Sequence, residues 1–287
     1  MTTLPPLVTL FEETAGSPIP LPDELARLYG VLRMPAPEGR PHVMGNFVTT
    51  LDGVVSLGVK GHETGADISG FHKQDRAVMG LLRALADVVF VGVATIAAEP
   101  THLLTAQDIY PPLSDAYGAV RVALGKPPFP SSVIVTSHGD VDPRWRLFHQ
   151  NDVPVHIVAT TSAAGAIATL GLPVKVQVHD VGHDGTVGAE EIFRAIGWSR
   201  APGIVLCEGG PHLMGTLFAA GALDDMFLTL SPQVAGRSSD GPPRPGFIAG
   251  QTFAPEQPLW GTLVSLRRGQ SHLFLRYAFD RAERGHR

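Results

Sequence analysis

The sequence predicts an α/β protein of three layers, α/β/α, built on a mainly parallel central sheet with an antiparallel C-terminal hairpin. Three observations support this class. Short continuous apolar runs recur at 88–93 (VVFVGV), 132–136 (SVIVT) and 204–207 (IVLC), as strands buried on both faces require. Helical stretches with one apolar face separate them, which is the alternation of parallel βαβ units. At the end of the chain, 261–267 and 272–279 alternate in polarity about Gly269, the pattern of an antiparallel hairpin at a sheet edge.

Each element has its own reason. Residues 1–39 are proline-rich with little periodicity and read as an extension over a core or a partner subunit, with one short helix over 23–29 behind Pro22. Residues 40–287 form the main domain. His42 to Thr49 is a strand running into the turn Thr50-Leu51-Asp52-Gly53, with Asp52 at its tip. Residues 54–70 are glycine-rich and irregular. Phe71 to Leu85 reads as a helix with Val78, Leu81, Leu82 and Leu85 inward. Arg76 and Arg83, seven apart, share one side of it, either as a solvated surface or as guards of a polar pocket. The strand Val88 to Val93 leads into a turn at 94–96. Residues 99–130 hold many prolines and one helix, 114–124. A connection this long is usually functional or a partner contact.

Strands follow at 132–136, 153–159 and 174–178, with helices at 163–170 and 189–198. A last strand, 225–231, precedes the hairpin. Composition limits the function classes. The chain has 287 residues, 44% hydrophobic, long enough for a large core. A net charge of −5 without a basic block argues against nucleic acid or an anionic membrane surface as partner. The single cysteine, Cys207, sits in an apolar run and excludes an intramolecular disulfide. No run is long enough to span a membrane, so a soluble cytoplasmic protein is expected. The histidines show no zinc-binding spacing, no metal is expected, and no nucleophile elbow is present.

The most informative stretch is 203–215 (GIVLCEGGPHLMG). An apolar strand breaks at Glu208-Gly209-Gly210, and Pro211 opens a helix. That junction offers free backbone amides and the positive end of a helix dipole to an anion. Hydroxyl or glycine turns also end the strands at Thr95 and at Thr136-Ser137. Several such turns along one carboxyl edge suggest a long phosphorylated ligand such as a dinucleotide.

The segments NFVTTLDG (46–53), LLRA (81–84), VGVAT (91–95), EGGP (208–211), LDD (223–225) and LSP (230–232), with Gly236, occur in that order. Together they resemble the reductase domain of bacterial riboflavin biosynthesis, over about residues 41–279. That resemblance implies the dihydrofolate-reductase-like fold, a stand-alone reductase, a homodimer, and NADPH-dependent reduction of a ribosylaminopyrimidine to its ribitylamino product. It implies that Val48, Thr95, Glu99, Ser137 and the run Gly209, Gly210, Pro211, His212, Leu213, Met214, Gly215 and Thr216 meet NADPH. Arg83, Leu103 and Glu208 would meet the substrate, and Asn46 and Asp52 would lie near the reacting groups, orienting substrate or supplying a proton through water.

Two segments depart from the family pattern. Ala106 stands where a phosphate-binding arginine is expected, leaving Arg76 or His102 to compensate or the substrate to lack the phosphate. The segment before the helix reads Ala66-Asp67-Ile68-Ser69 instead of a serine followed by an aromatic. Reduction of dihydrofolate or a pterin, and a non-catalytic nucleotide-binding role, are the competing readings.

Overall fold

A computed structural model describes residues 4–36, 39–198 and 203–279. Its strands, in chain order, are β1 (Val8–Glu12), β2 (Ser17–Pro18), β3 (Arg33–Met34), β4 (Pro41–Thr49), β5 (Val88–Gly92), β6 (Ser131–Thr136), β7 (Val155–Ala159), β8 (Val176–Asp180), β9 (Gly203–Cys207), β10 (Asp225–Leu230), β11 (Thr262–Gly269) and β12 (His272–Ala278). All but β2 and β3 form one sheet, ordered β1-β11-β12-β10-β4-β9-β5-β6-β7-β8. From β10 to β8 every neighbour is parallel, while β12, β11 and β1 pair antiparallel. The predicted class therefore holds.

The apolar runs lie at the centre because they can be covered on both faces. Val88, Val89, Phe90 and Val91 are all buried. On one face, Met44, Leu206 and Phe227 pack with Leu81, Leu82 and Leu85 of the helix Lys73–Leu85. On the other, Val43, Val205 and Cys207 pack with Leu213, Met214 and Leu217 of the helix Pro211–Ala219. Burial pushes the Cys207 thiol up to about 12, so it is an inert core group. Gly45 sets the second layer's distance, since a Cβ there would come within 2.8 Å of Met214 Cε.

Several boundaries differ from the sequence expectation, each for a local reason. The helix expected from Phe71 starts at Lys73, because Gly70 and Phe71 both adopt positive φ (63° and 57°) and turn the chain. Residues 65–69, read as irregular, form a short helix that Thr64 and Asp67 cap reciprocally. The strand expected to reach Val93 ends at Gly92, and Val93–Ala98 is helical rather than a turn. The segment 99–130 contains the helices Ala106–Ile109 and Ser114–Ala123, which pack against Lys73–Leu85. The hairpin β11–β12 is not at the sheet edge, because β1 pairs with β11 and takes that place. Leu25, Leu28 and Tyr29, in the first 39 residues, join the main core.

Candidate active site

In a parallel sheet the ligand cleft forms at the carboxyl edge, where successive turns converge. Here β9 and β5 are neighbours, so the glycine that ends β5 faces the glycine turn after β9. A Cβ added at Gly92 would lie 3.8 Å from Gly210 Cα and 3.9 Å from Gly209 O. Gly210 has φ +73° and immediately precedes the helix Pro211–Ala219, whose N-terminus carries no side-chain cap. Gly209 lies directly against the Thr95 side chain, and a Cβ there would collide with it. The result is a glycine-walled notch with a bare helix N-terminus, which suits a phosphate oxygen.

The remaining cofactor candidates divide by environment. Ser137 follows β6, and its carbonyl accepts from Thr160 Oγ1 at 2.9 Å. Glu99 lies 3.3 Å from His102 Nδ1, which raises the histidine pKa. Leu213 and Met214 turn their side chains into the core, leaving only backbone for a ligand. Gly215 lies against the Ala249 carbonyl, and Thr216 Oγ1 bonds His212 O.

Strand alternation collects a second group on the face covered by Lys73–Leu85. Met44 and Leu206 belong to that face, so Asn46, Val48 and Glu208, two and four residues on, share it. Arg83 reaches Glu208 from the covering helix, its Nε 2.8 Å from Oε2. The same guanidinium donates to Leu103 O (2.9 Å) and Thr105 O (3.1 Å). Arg83, Leu103 and Glu208 are thus brought together. Arg76 Nε donates to Ile109 O at 3.0 Å, so both arginines hold the 103–109 segment.

The Glu208 side chain is 1% exposed, yet its Oε1 has no hydrogen-bond partner. Burial raises its pKa, Arg83 and Asn46 draw it down, and the net direction is upward. An unsatisfied buried carboxylate oxygen is costly and marks a place where a ligand donor can bind.

Asp52 has a different environment. Its carboxylate accepts from Thr50 Oγ1 (2.7 Å), Ala235 N (3.0 Å) and Gly236 N (2.8 Å). Those bonds hold it well below the usual carboxylate range and pin the 232–236 loop to the turn. It stays ionised and occupied.

Sequence reading missed Asp75, in the first turn of Lys73–Leu85. The Thr229 and Ser69 hydroxyls flank its carboxyl, and Arg76 and Glu208 act on it through charge. Burial dominates and pushes its pKa up to about 6. Thr229 is in register with Val48, which places Asp75 over the cleft floor. His272 Nε2 donates to Ser69 O at 3.0 Å and fixes that end of the cluster. An acidic residue in a first turn is ordinary for helix-dipole reasons, so nothing in the sequence distinguishes Asp75.

Ala106 is buried at 1%, and its near neighbour Asp108 accepts from Leu103 N and pairs with Arg146. Asp180 and Asp184 accept from Thr161 Oγ1 and Ser162 N at the start of the helix Thr161–Ala168. Among the described residues, no helix is long and apolar enough to cross a membrane.

Fold and geometry together define an α/β protein with a candidate ligand site at the carboxyl edge of a parallel sheet. The family model of the RibD C-terminal domain matches residues 41–252, and the chain belongs to that family. A pyrimidine reductase-like protein of Corynebacterium diphtheriae superposes with a TM-score of 0.60 at 18% identity, covering 84% of this chain and 92% of that one. Acinetobacter baumannii RibD gives 0.58 at 17% identity, covering 84% of this chain but 59% of that longer one. The riboflavin biosynthesis reductase Rib7 of Saccharomyces cerevisiae gives 0.53 at 15% identity, with 86% and 93% covered. These likenesses are of fold. No curated protein matches the sequence.

Proposed function

We propose that this chain is an NADPH-dependent reductase of a ribosylaminopyrimidine, of the 5-amino-6-ribosylaminouracil or 2,5-diamino-6-ribosylaminopyrimidinone type, yielding the ribitylamino product. One juxtaposition carries the reading: a glycine notch at an uncapped helix N-terminus beside a buried carboxylate with one unpartnered oxygen. The notch suits the diphosphate of a dinucleotide, which Gly209, Gly210 and the amides of His212 and Leu213 would hold. Val48 would border the nicotinamide, Thr95 and Glu99 would lie alongside, and Ser137 would meet the adenosine end. The coenzyme, when bound, supplies the hydride. Glu208 Oε1 accepts an N–H of the pyrimidine, Arg83 fixes the carboxylate plane, and Asn46 orients the ribosylamine.

A narrower version concerns the substrate's phosphate. Ala106 is apolar and buried and offers no cation, and the nearby Arg146 is already paired with Asp108. This favours a dephosphorylated ribosylaminopyrimidine, or a pterin, over the 5′-phosphate. The test is NADPH oxidation with phosphorylated and dephosphorylated ribosylaminopyrimidine and with dihydrofolate, beside thermal shift with NADPH alone. Turnover fastest with the dephosphorylated pyrimidine is expected. Stabilisation by NADPH without oxidation on any substrate would make this a nucleotide-binding protein. Homodimerisation is part of the same reading, and sedimentation velocity checks it.

A further inference from the structure

Reducing a ribosylamine to a ribitylamine takes a hydride and a proton. The bond between C1 and the ring oxygen breaks, the hydride adds to C1, and the oxygen gains the proton as a hydroxyl. The electron pair comes from the nicotinamide coenzyme, which is oxidised. The proton comes from a protein acid or from water, and the acids at this sheet edge differ in their ability to give one.

Asp52 is saturated by a hydroxyl and two amides and stays ionised. Asp108 holds Leu103 N and Arg146. Glu99 is engaged with His102. Glu208 is tied through one oxygen to Arg83, and its free oxygen serves as an acceptor. Asp75 is the exception. Two hydroxyls flank it, and among its charged neighbours are Arg76 on its own helix and Glu208 across the cleft. Lys73, on the same turn, is exposed. The nearby His72 and His272 rings stack 3.9 Å apart, and burial lowers the pKa of both, so they are neutral near physiological pH.

We propose that Asp75 is the proton donor of this site: its carboxyl, held between the Thr229 and Ser69 hydroxyls on the face that carries Val48 and Glu208, protonates the ring oxygen as the bond to C1 breaks. This rests on the reductase reading above. Burial keeps a useful fraction of the acid protonated near neutrality, the range in which a general acid is most effective. Thr229 and Ser69 then stabilise the carboxylate left behind.

The test is Asp75→Asn, which resembles the protonated acid in shape. In the wild type, kcat/KM should fall as pH rises past about 6. The variant should lose about 10²–10⁴-fold at the acid end of that range and show no such limb, while its NADPH-induced thermal shift is unchanged. Carbon-13 NMR of the free enzyme gives an independent readout. One aspartate carboxyl should titrate near pH 6 in the wild type and vanish in the variant. Thr229→Val, which removes a bond favouring the ionised form, should move both that titration and the kinetic limb upward together.

Turnover at the wild-type rate and pH profile in Asp75→Asn overturns the donor alone, as does a spectrum in which no carboxyl titrating near pH 6 disappears in that variant. Absence of wild-type turnover on every ribosylaminopyrimidine, with the titration intact, overturns the reductase reading and the donor role with it.

Discussion

Two arginine–carboxylate pairs lie buried on the same face of the sheet, one toward each end of its strands. At the amino end, Arg276 grips Asp225 through Nε (3.0 Å) and Nη2 (2.6 Å), and His42 Nε2 adds a third contact at 2.6 Å. Although burial alone would raise the Asp225 pKa, His42 and Arg276 hold it below the usual carboxylate value. At the carboxyl end, Arg83 holds one oxygen of Glu208 and leaves the other unpartnered, and the net shift is upward. The two pairs are similarly buried, with side chains at 7% and 3% exposure against 6% and 1%. The difference is saturation. The amino-end cluster is complete without a ligand and serves folding, whereas the carboxyl-end cluster retains capacity for one.

This contrast can be broken experimentally. The largest effect expected is on stability from Arg276→Met, which strands Asp225 in the interior. Loss of one partner of such a pair costs about 3–5 kcal/mol, measured by urea denaturation, while turnover per folded molecule stays near wild type. A proportionate loss of catalysis in the folded fraction would show that the two ends are not separable.

Gly210→Asp should abolish stabilisation by NADPH, about 4 kcal/mol at a thousandfold excess over Kd. Differential scanning fluorimetry with and without coenzyme decides it, and an undiminished shift would remove the notch from the cofactor site. Glu208→Gln keeps the shape but turns an acceptor into an amide. A hydrogen bond to a charged group contributes about 1.5–3 kcal/mol, so KM for the pyrimidine should rise by roughly tenfold or more, with NADPH binding unaffected.

Smallest is the pH dependence, where the two clusters have opposite signs. The folded pKa of Asp225 is lowered, so its stabilisation is complete above about pH 3.9 and fades as pH falls through its folded value. The folded pKa of Asp75 is raised, so its contribution is complete in acid and fades as pH climbs toward about 6. Unfolding free energies across the acid range should lose the first slope in Asp225→Asn and the second in Asp75→Asn.

Much of the carboxyl-end notch was legible beforehand. The apolar run 204–207, the glycines at 209 and 210 and Pro211 each constrain the backbone locally, and together they require a strand, a turn and a helix start. The grouping of Arg83 with Glu208 was legible only through family resemblance, because 125 residues separate them. Asp52 reads in the sequence as a carboxylate at a turn tip, and family resemblance puts it near the reacting groups. Only the fold brings the amides of 235 and 236 onto it. The place of β1 beside β11 was equally hidden, since its short apolar run lies in a proline-rich segment and its pairing partner lies at the far end of the chain.

What the sequence determined by itself is the α/β/α class and the strand–turn–helix junction at 208–211. These follow from periodicity and backbone restriction, which act over a few residues. What the tertiary structure decided is the state of each acid. Asp52, Asp75, Glu208 and Asp225 are all carboxylates, and the chain order does not rank them. Burial and the number of donors that distant segments deliver set their charge, and those exist only once the strands are side by side.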